Sequence, residues 1–261
     1  MKPDLSSLLH DLAAEHAALD ARVANLSETQ WRMPTPAEGW DVADCVSHLH
    51  YFDGTAILAL VDGPAFTKHL DAMLSGGVQP GADVQFGRDN SGGHLLEDWR
   101  RGRSALLTAL DKADPAARVP WYGPPMTLAS FASARLMETW AHGQDVSDAL
   151  GLEPITSDRL RHVCHIGVRA RPYAYLVHGV ENPDTPVRVE LTGPGAGEWG
   201  PEDARDRIAG PALDFALLVT QRRHLDDLAL TIEGDTAAGW ARIAQAYAGP
   251  AGTGRAPLGA A

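Results

Sequence analysis

The stretch RLMETWAHGQDVSDALG (135–151) decides how the chain is read. Glu138 and His142 stand four residues apart, so on a helix both side chains leave the same face. Helical spacing puts Phe131, Ala134, Asp145 and Ala149 on that face as well. The segment reads as a helix from about Thr127 to Leu150, and Gly151 supplies the glycine that commonly follows a helix end. Packing against apolar neighbours turns that face inward. A carboxylate and an imidazole are costly there unless they are paired or bind a metal.

Working outward, three more helices of the same kind precede it. Leu5, Leu8, Leu9, Leu12, His16, Leu19, Val23 and Leu26 form a stripe at helical spacing, with Asp4 as N-cap. After the turn MPTP (33–36), Asp41 caps a second helix that carries Val42, Cys45, Val46, Leu49, Phe52 and Ala56 on one face; Gly63-Pro64 stops it. Residues 75–93 are polar and glycine-rich and read as a long connection. A third helix starts near Ser91, turns Leu95, Trp99, Leu106 and Leu110 inward, and ends before Asp114-Pro115. Four amphipathic helices predict a four-helix bundle.

Residues 157–178 form a further helical run, and then the texture changes. Pro183, Pro186, Gly193, Pro194, Gly195 and Gly197 surround PVRVEL, where Val187, Val189 and Leu191 alternate as in a half-buried strand. Residues 211–221 read as helix, Leu228, Leu230 and Ile232 as strand, and Asp235 as the cap of a last helix with Trp240, Ile243 and Tyr247. The closing AGPAGTGRAPLGAA (248–261) has little to bury and is expected to be loosely ordered. The predicted fold class is α+β. Residues 1–180 are expected to form the helical bundle, with 157–178 as an extra helix, and 181–261 a small α+β domain.

Composition narrows the function. The chain has 261 residues, 44% of them hydrophobic, and a formal net charge of −12. Without a clustered basic surface, a nucleic-acid partner is not expected. No apolar stretch is long enough for a bilayer and the N-terminus does not read as a signal peptide, so a cytoplasmic protein with no membrane partner is expected. Cys45 and Cys164 are the only cysteines, which fits a reducing compartment and no C-x-x-C metal knuckle. A small-molecule substrate is the expected partner; the oligomeric state is open.

His48 lies beside Cys45 and Phe52 at the edge of the second helix's apolar stripe. Two histidines and one carboxylate from facing helices, His48, Glu138 and His142, can bind one face of a divalent metal and leave other positions open. Zinc suits the set best; nickel, iron and copper are also compatible. The E-x-x-x-H spacing alone is weak, since most such pairs lie on surfaces or in core hydrogen bonds. His16 reads as a core or pocket-lining residue, His50 points away from His48, and His162 and His165 lack a third partner. Asp44 and Asp145 each stand about one turn from an imidazole whose second nitrogen they could hold; for Asp44, helix N-terminal charge is an equal alternative. No Ser-His-Asp motif stands out, and Cys45 reads as core.

Four segments carry a resemblance: TPAEGWDVADCVSHL (35–49), RLMETWAHGQDVSDALG (135–151), IAGPALDFALLVTQRR (208–223) and IEGDTAAGWARIAQAYAGP (232–250). Together they resemble the mycothiol-dependent maleylpyruvate isomerase family, within the DinB-like metalloprotein bundles. The resemblance implies a DinB-like N-terminal four-helix bundle, a sterol-carrier-protein-like α+β domain after it, and the family's metal motif at His48, Glu138 and His142. It implies mycothiol as a thiol cofactor and a functional arginine at Arg222. Arg222 and Arg223 close the apolar run 216–219; the alternative for them is solvent-facing pairing with Asp226 or Asp227. The implied enzyme is a metal-dependent isomerase or thiol transferase acting on a small electrophilic, anionic substrate. A bound divalent metal lowers the pKa of a thiol or water; the thiol adds to an activated double bond, the adduct rotates, and the thiol leaves or is retained. The helical run 157–178 departs from the family pattern, which leaves the substrate open. Two other readings remain: a metal-dependent hydrolase or tailoring enzyme that uses no thiol, and a non-enzymatic metal- and ligand-binding protein.

Overall fold

The computed structural model describes residues 4–259. They form two compact units, Met1–Ile155 and Thr156–Ala261.

The first unit is built on the helices α1 (Leu5–Val23), α2 (Glu28–Trp31), α3 (Val42–Val61), α4 (Gly63–Leu74), α5 (Ala82–Asp89) and α6 (Gly92–Lys112). A two-stranded ribbon, β1 (Arg118–Val119) with β2 (Met126–Thr127), leads into α7 (Leu128–Ala149). The four long helices α1, α3, α6 and α7 pack as the expected bundle. The starts of α3, α6 and α7 are fixed by side-chain caps, whereas Asp4, at the N-cap of α1, makes no capping bond. Asp41 accepts from the Asp44 N–H while the Asp44 carboxylate accepts from the Asp41 N–H. Ser91 and Thr127 each accept from the amide three residues on. One end of the core joins Leu19, Val23, Trp31, Val46, Leu49, Leu95, Trp99 and Val146.

Two short helices differ from expectation. Gly63-Pro64 stops α3 but also opens α4, since Asp62 caps it and Pro64 occupies its first turn, where a missing N–H costs nothing. Within 75–93, read as a connection, α5 packs closely on α3. A Cβ on Gly87 would stand 2.8 Å from Ser47 Cβ and 2.9 Å from the Ala43 carbonyl oxygen. Ser47 Oγ accepts from the Gly87 N–H at 3.0 Å and donates to the Asp83 carbonyl at 3.0 Å.

Below the apolar layers, polar groups fill the bundle interior. The Arg135 guanidinium holds Asp53 Oδ1 at 3.1 Å, with both side chains buried. Burial, the largest influence, raises the Asp53 carboxyl against the lowering pull of Arg135. His16 is buried edge-on to Trp99 at 6.1 Å, as the core reading of its stripe position expects.

The second unit comprises α8 (Leu160–Arg169), α9 (Arg171–Val177), β3 (Val187–Thr192), β4 (Gly197–Trp199), β5 (Asp206–Pro211), α10 (Ala212–Val219), β6 (Thr231–Glu233) and α11 (Asp235–Ile243). The sheet order is β4-β3-β5-β6; β3 runs parallel to β5, and the other pairs are antiparallel. The helical run 157–178 is two helices, broken before Pro172, and it belongs here rather than to the bundle. The division therefore falls after Ile155, not near 180. Ile155 is tied to α7, its carbonyl accepting from Trp140 Nε1 and its amide donating to Gln144, whereas α8 packs on α10. Asp235 begins α11 but does not cap it; Asp206 Oδ1 does so, accepting from the Thr236 and Ala237 amides at 2.7 and 2.9 Å. The segment 249–258 is not loose: its amides and Arg255 bond back onto the unit. Among the described residues, no helix is long and apolar enough to cross a membrane.

Burial, with lesser contributions from Arg103 and Arg135, drives the His16 imidazole down to about 3. The folded state therefore keeps His16 neutral while the unfolded chain binds a proton below about 6.5. Its contribution to stability is complete above that pH and is lost as pH falls from about 6.5 toward 3. In metal-free protein, moving from pH 7 to pH 5 should cost wild type about 2 kcal/mol more than His16→Leu in urea unfolding. Equal pH slopes for the two proteins would contradict this account.

Candidate metal centre

His48 projects from α3, and Glu138 and His142 from α7, which pack against each other. One donor atom from each of the three lies within 4.8 Å of the others. Glu138 Oε2 stands 3.7 Å from His142 Nε2, and the two imidazole centroids are 4.7 Å apart. Donors around a shared zinc ion sit about 3–3.5 Å apart, given bonds near 2.0–2.2 Å. Small side-chain rotations close the difference. The mixed nitrogen and oxygen set fits a divalent first-row cation. The His142 side chain is 8% exposed, whereas His48 and Glu138 are 19% and 21% exposed, so the set is open on one side.

Both imidazoles have a carboxylate at the ring nitrogen away from the centre. Asp83 Oδ2 lies 2.7 Å from His48 Nδ1, and Asp145 Oδ2 lies 3.3 Å from His142 Nδ1. The hydrogen bond to Asp83 marks His48 Nδ1 as the proton carrier and leaves its Nε2 available to a metal, whereas Asp145 stands within ion-pair distance of His142 Nδ1 with no hydrogen bond between them. The hydrogen bond from His48 is the main reason the Asp83 carboxyl is held below its ordinary range. The partner of His48 is thus Asp83 and not Asp44. Asp44 closes the α3 capping box and pairs with Arg88, whose Nε and Nη2 each lie 2.9 Å from its oxygens.

Aromatic rings wall the centre. Trp40 stacks on His142 at 5.6 Å with the planes 13° apart and also touches His48 at 5.1 Å, and Phe52 packs on His48 at 4.5 Å. Beyond Phe52 lie Trp121 and Tyr122, and His69 Nε2 links the Tyr122 and Tyr51 hydroxyls at 3.2 and 3.5 Å. A second group, Cys45, His142 and Asp145, is wholly buried and shares His142. His50 packs on Phe86, outside the triad. His165 meets Trp199, and it and His162 belong to α8 in the second unit. Arg222 and Arg223 follow α10 in the second unit.

Reading the sequence missed Asp83, Trp40 and the Tyr51–His69–Tyr122 array. The eight residues of α5 are too few for periodicity to separate a helix from a polar loop. Trp40, one residue before the Asp41 cap, had no pattern to place it over His142.

The family model of the mycothiol maleylpyruvate isomerase N-terminal domain matches residues 12–147. The chain belongs to this enzyme family. Two proteins of Mycobacterium tuberculosis, from strains H37Rv and CDC 1551 and both described as uncharacterized, are each 43% identical to it over 258 residues. The alignment covers 97% of this chain and 99% of theirs. A crystal structure of the mycothiol-dependent maleylpyruvate isomerase is similar in fold, with a TM-score of 0.59 over 88% of this chain and 93% of that one, at 13% identity. The structure of a histidine-to-alanine mutant of that enzyme gives a TM-score of 0.57 over the same shares at the same identity.

If Asp83 orients a metal ligand, Asp83→Ala should weaken metal affinity about 10–100-fold while the bundle stays folded. Gly87→Val should do the same from a distance, because its side chain forces α5 off α3. Competition with a chromogenic chelator measures both; unchanged affinity in Asp83→Ala would remove that role.

Proposed function

We propose that this protein is a divalent-metal-dependent enzyme that uses a small thiol, mycothiol, to isomerise or thiolate a small electrophilic, anionic substrate. The observation that carries the reading is the triad of His48, Glu138 and His142, open on one side and with a carboxylate behind each imidazole. Family membership supports the thiol, and the name of the structural neighbour supports a substrate like maleylpyruvate, an unsaturated dicarboxylate.

A divalent metal in the triad, zinc first among the fitting ions, would lower the pKa of a thiol brought to it. The protein's own residues would prepare the rest. Asp83 holds the His48 imidazole in one orientation, and Asp145 places a negative charge beside the His142 ring, so the donors would need little reorganisation. Trp40 and Phe52 cover the imidazole faces and exclude water from that side. No cysteine of the chain suits the nucleophile's part. Cys45 and Cys164 are both fully buried, and burial pushes the Cys164 thiol up to about 12. An external thiol fits that gap. When it adds to the conjugated double bond, one carbon–sulfur bond forms and negative charge moves onto the substrate's carbonyl. Rotation about the new single bond and loss of the thiol then complete an isomerisation; retention of the thiol makes a transfer. We assign the binding of a substrate carboxylate to Arg222, whose planar guanidinium can make two parallel hydrogen bonds.

Purified protein should contain one divalent metal per chain, and His48→Ala and His142→Ala should each lose most of it. Full metal occupancy in both variants, read by elemental analysis, would remove the site. Turnover of maleylpyruvate-like substrates should need added mycothiol. Activity that persists without any thiol would move the reading to metal-dependent hydrolysis.

Arg222→Ala should lower turnover by about two orders of magnitude at unchanged metal content, with little rescue by Arg222→Lys, because an ammonium cannot reproduce the paired hydrogen bonds. Wild-type kinetics in Arg222→Ala would leave the anionic substrate without its partner.

A further inference from the structure

Gln221 is the single non-glycine residue with positive φ among the described residues, at 58°. It follows the C-cap of α10, Thr220. The Gln221 amide donates to the Leu218 carbonyl at 3.0 Å and the Arg222 amide to the Leu217 carbonyl at 2.8 Å. Those two bonds define the helix-ending turn in which a left-handed residue is usual, and glycine normally fills it because a Cβ is strained there. A glutamine held in that conformation must return something through its side chain.

Both ends of the Gln221 amide are engaged. Oε1 accepts from the Tyr247 hydroxyl at 2.5 Å, and Nε2 donates to the Ala244 carbonyl at 3.1 Å. The segment after α11 closes over this hook. Gly252 lies so near that a Cβ there would stand 2.0 Å from Gln221 Oε1, and its amide donates to Gln245 at 2.9 Å. The next residue along is Arg222. Its carbonyl accepts from Arg255 Nη1 at 2.9 Å and Arg223 Nη1 at 2.8 Å, and its own Nη1 donates to the Thr220 carbonyl at 2.6 Å. Strain, hook and closing segment therefore converge on the backbone that carries one arginine.

We infer that Gln221 is a positioning residue: hooked by Tyr247 and Ala244, it fixes the turn that aims the Arg222 guanidinium. The inference rests on the reading of Arg222 as the residue that binds the substrate's carboxylate. A purely structural turn would be served by glycine, which relieves the strain and keeps both backbone bonds. That contrast makes Gln221→Gly the informative variant, since it retains the fold of the turn and removes only the hook. Tyr247→Phe removes one end of the hook by a different route.

The test uses the full chain with metal bound. Nitrogen-15 relaxation of the Arg222 Nε–H group, assigned by its disappearance in Arg222→Lys, should report an ordered side chain in wild type and a mobile one in Gln221→Gly and Tyr247→Phe. Thermal unfolding and metal content should show both variants folded and loaded. Thiol-dependent turnover should fall about tenfold in kcat/KM, mainly through KM. An Arg222 side chain that is mobile in wild type, or equally ordered in both variants, would overturn the inference. So would full activity in both variants alongside an inactive Arg222→Ala. Wild-type activity in Arg222→Ala would instead overturn the substrate role of Arg222, while the relaxation data would still decide whether Gln221 positions it.

Discussion

A helical bundle that turns imidazoles and carboxylates toward its own interior must give each of them a partner. A buried ionisable group left alone gives up hydration and gains nothing in return. The first unit meets that demand in a sequence of contacts. Asp83 stands behind His48 and Asp145 behind His142, while Arg135 takes Asp53. His16 is the exception: burial drives its ring to neutrality, so it needs no counter-charge, but neither ring nitrogen has a hydrogen-bond partner among the described residues. The triad is the place where the pattern opens. His48 and Glu138 keep part of their side chains in solvent, and three donors converge with a cation as the natural fourth member.

The reach of that constraint explains why a short helix matters. Asp83 is delivered by α5, and α5 is delivered by the absence of a side chain at Gly87. Ser47, one residue before His48, bonds both the Asp83 carbonyl and the Gly87 amide. One turn of α3 thus carries His48 and also holds the element whose Asp83 orients it. A glycine in a solvated connection would carry little meaning; here it sets the distance between two helices.

Much of this was legible in the residues. The bundle helices follow from stripes at helical spacing and, for α3, from the capping side chain of Asp41, because local chemistry decides where a helix begins; Asp4, read as a cap in the same way, makes no capping bond. The pairing of Glu138 with His142 was legible for the same reason, as it needs only a helix. What depended on tertiary placement was not. Asp83 lies 35 residues from His48 in a segment too short for periodicity, and Trp40 stacks on a ring more than a hundred residues away. The boundary near 180 followed a change of composition, whereas the actual division follows packing, with Ile155 tied to α7 and α8 set on α10. The segment 248–261 looked too poor in apolar residues to order itself. Over 249–258 it is held instead by hydrogen bonds to Gln245, Arg222 and Asp227.

The buried ion pair has a part in this arrangement that stability alone does not explain. Replacing such a pair with apolar residues is often neutral or favourable, whereas leaving one member unpaired costs about 3–5 kcal/mol. Asp53 and Arg135 sit on the same two helices as the triad, α3 and α7. Along α3 the chain runs from His48 to Asp53; along α7, running the opposite way, from His142 and Glu138 back to Arg135. The two sets of contacts are successive rungs between antiparallel helices. Sliding α7 by one turn would strand a guanidinium and a carboxylate in the interior at once, while apolar side chains would tolerate the slip far better. The ion pair therefore penalises registers other than the one that brings His48 to face Glu138 and His142, and the geometry of the triad is inherited from it.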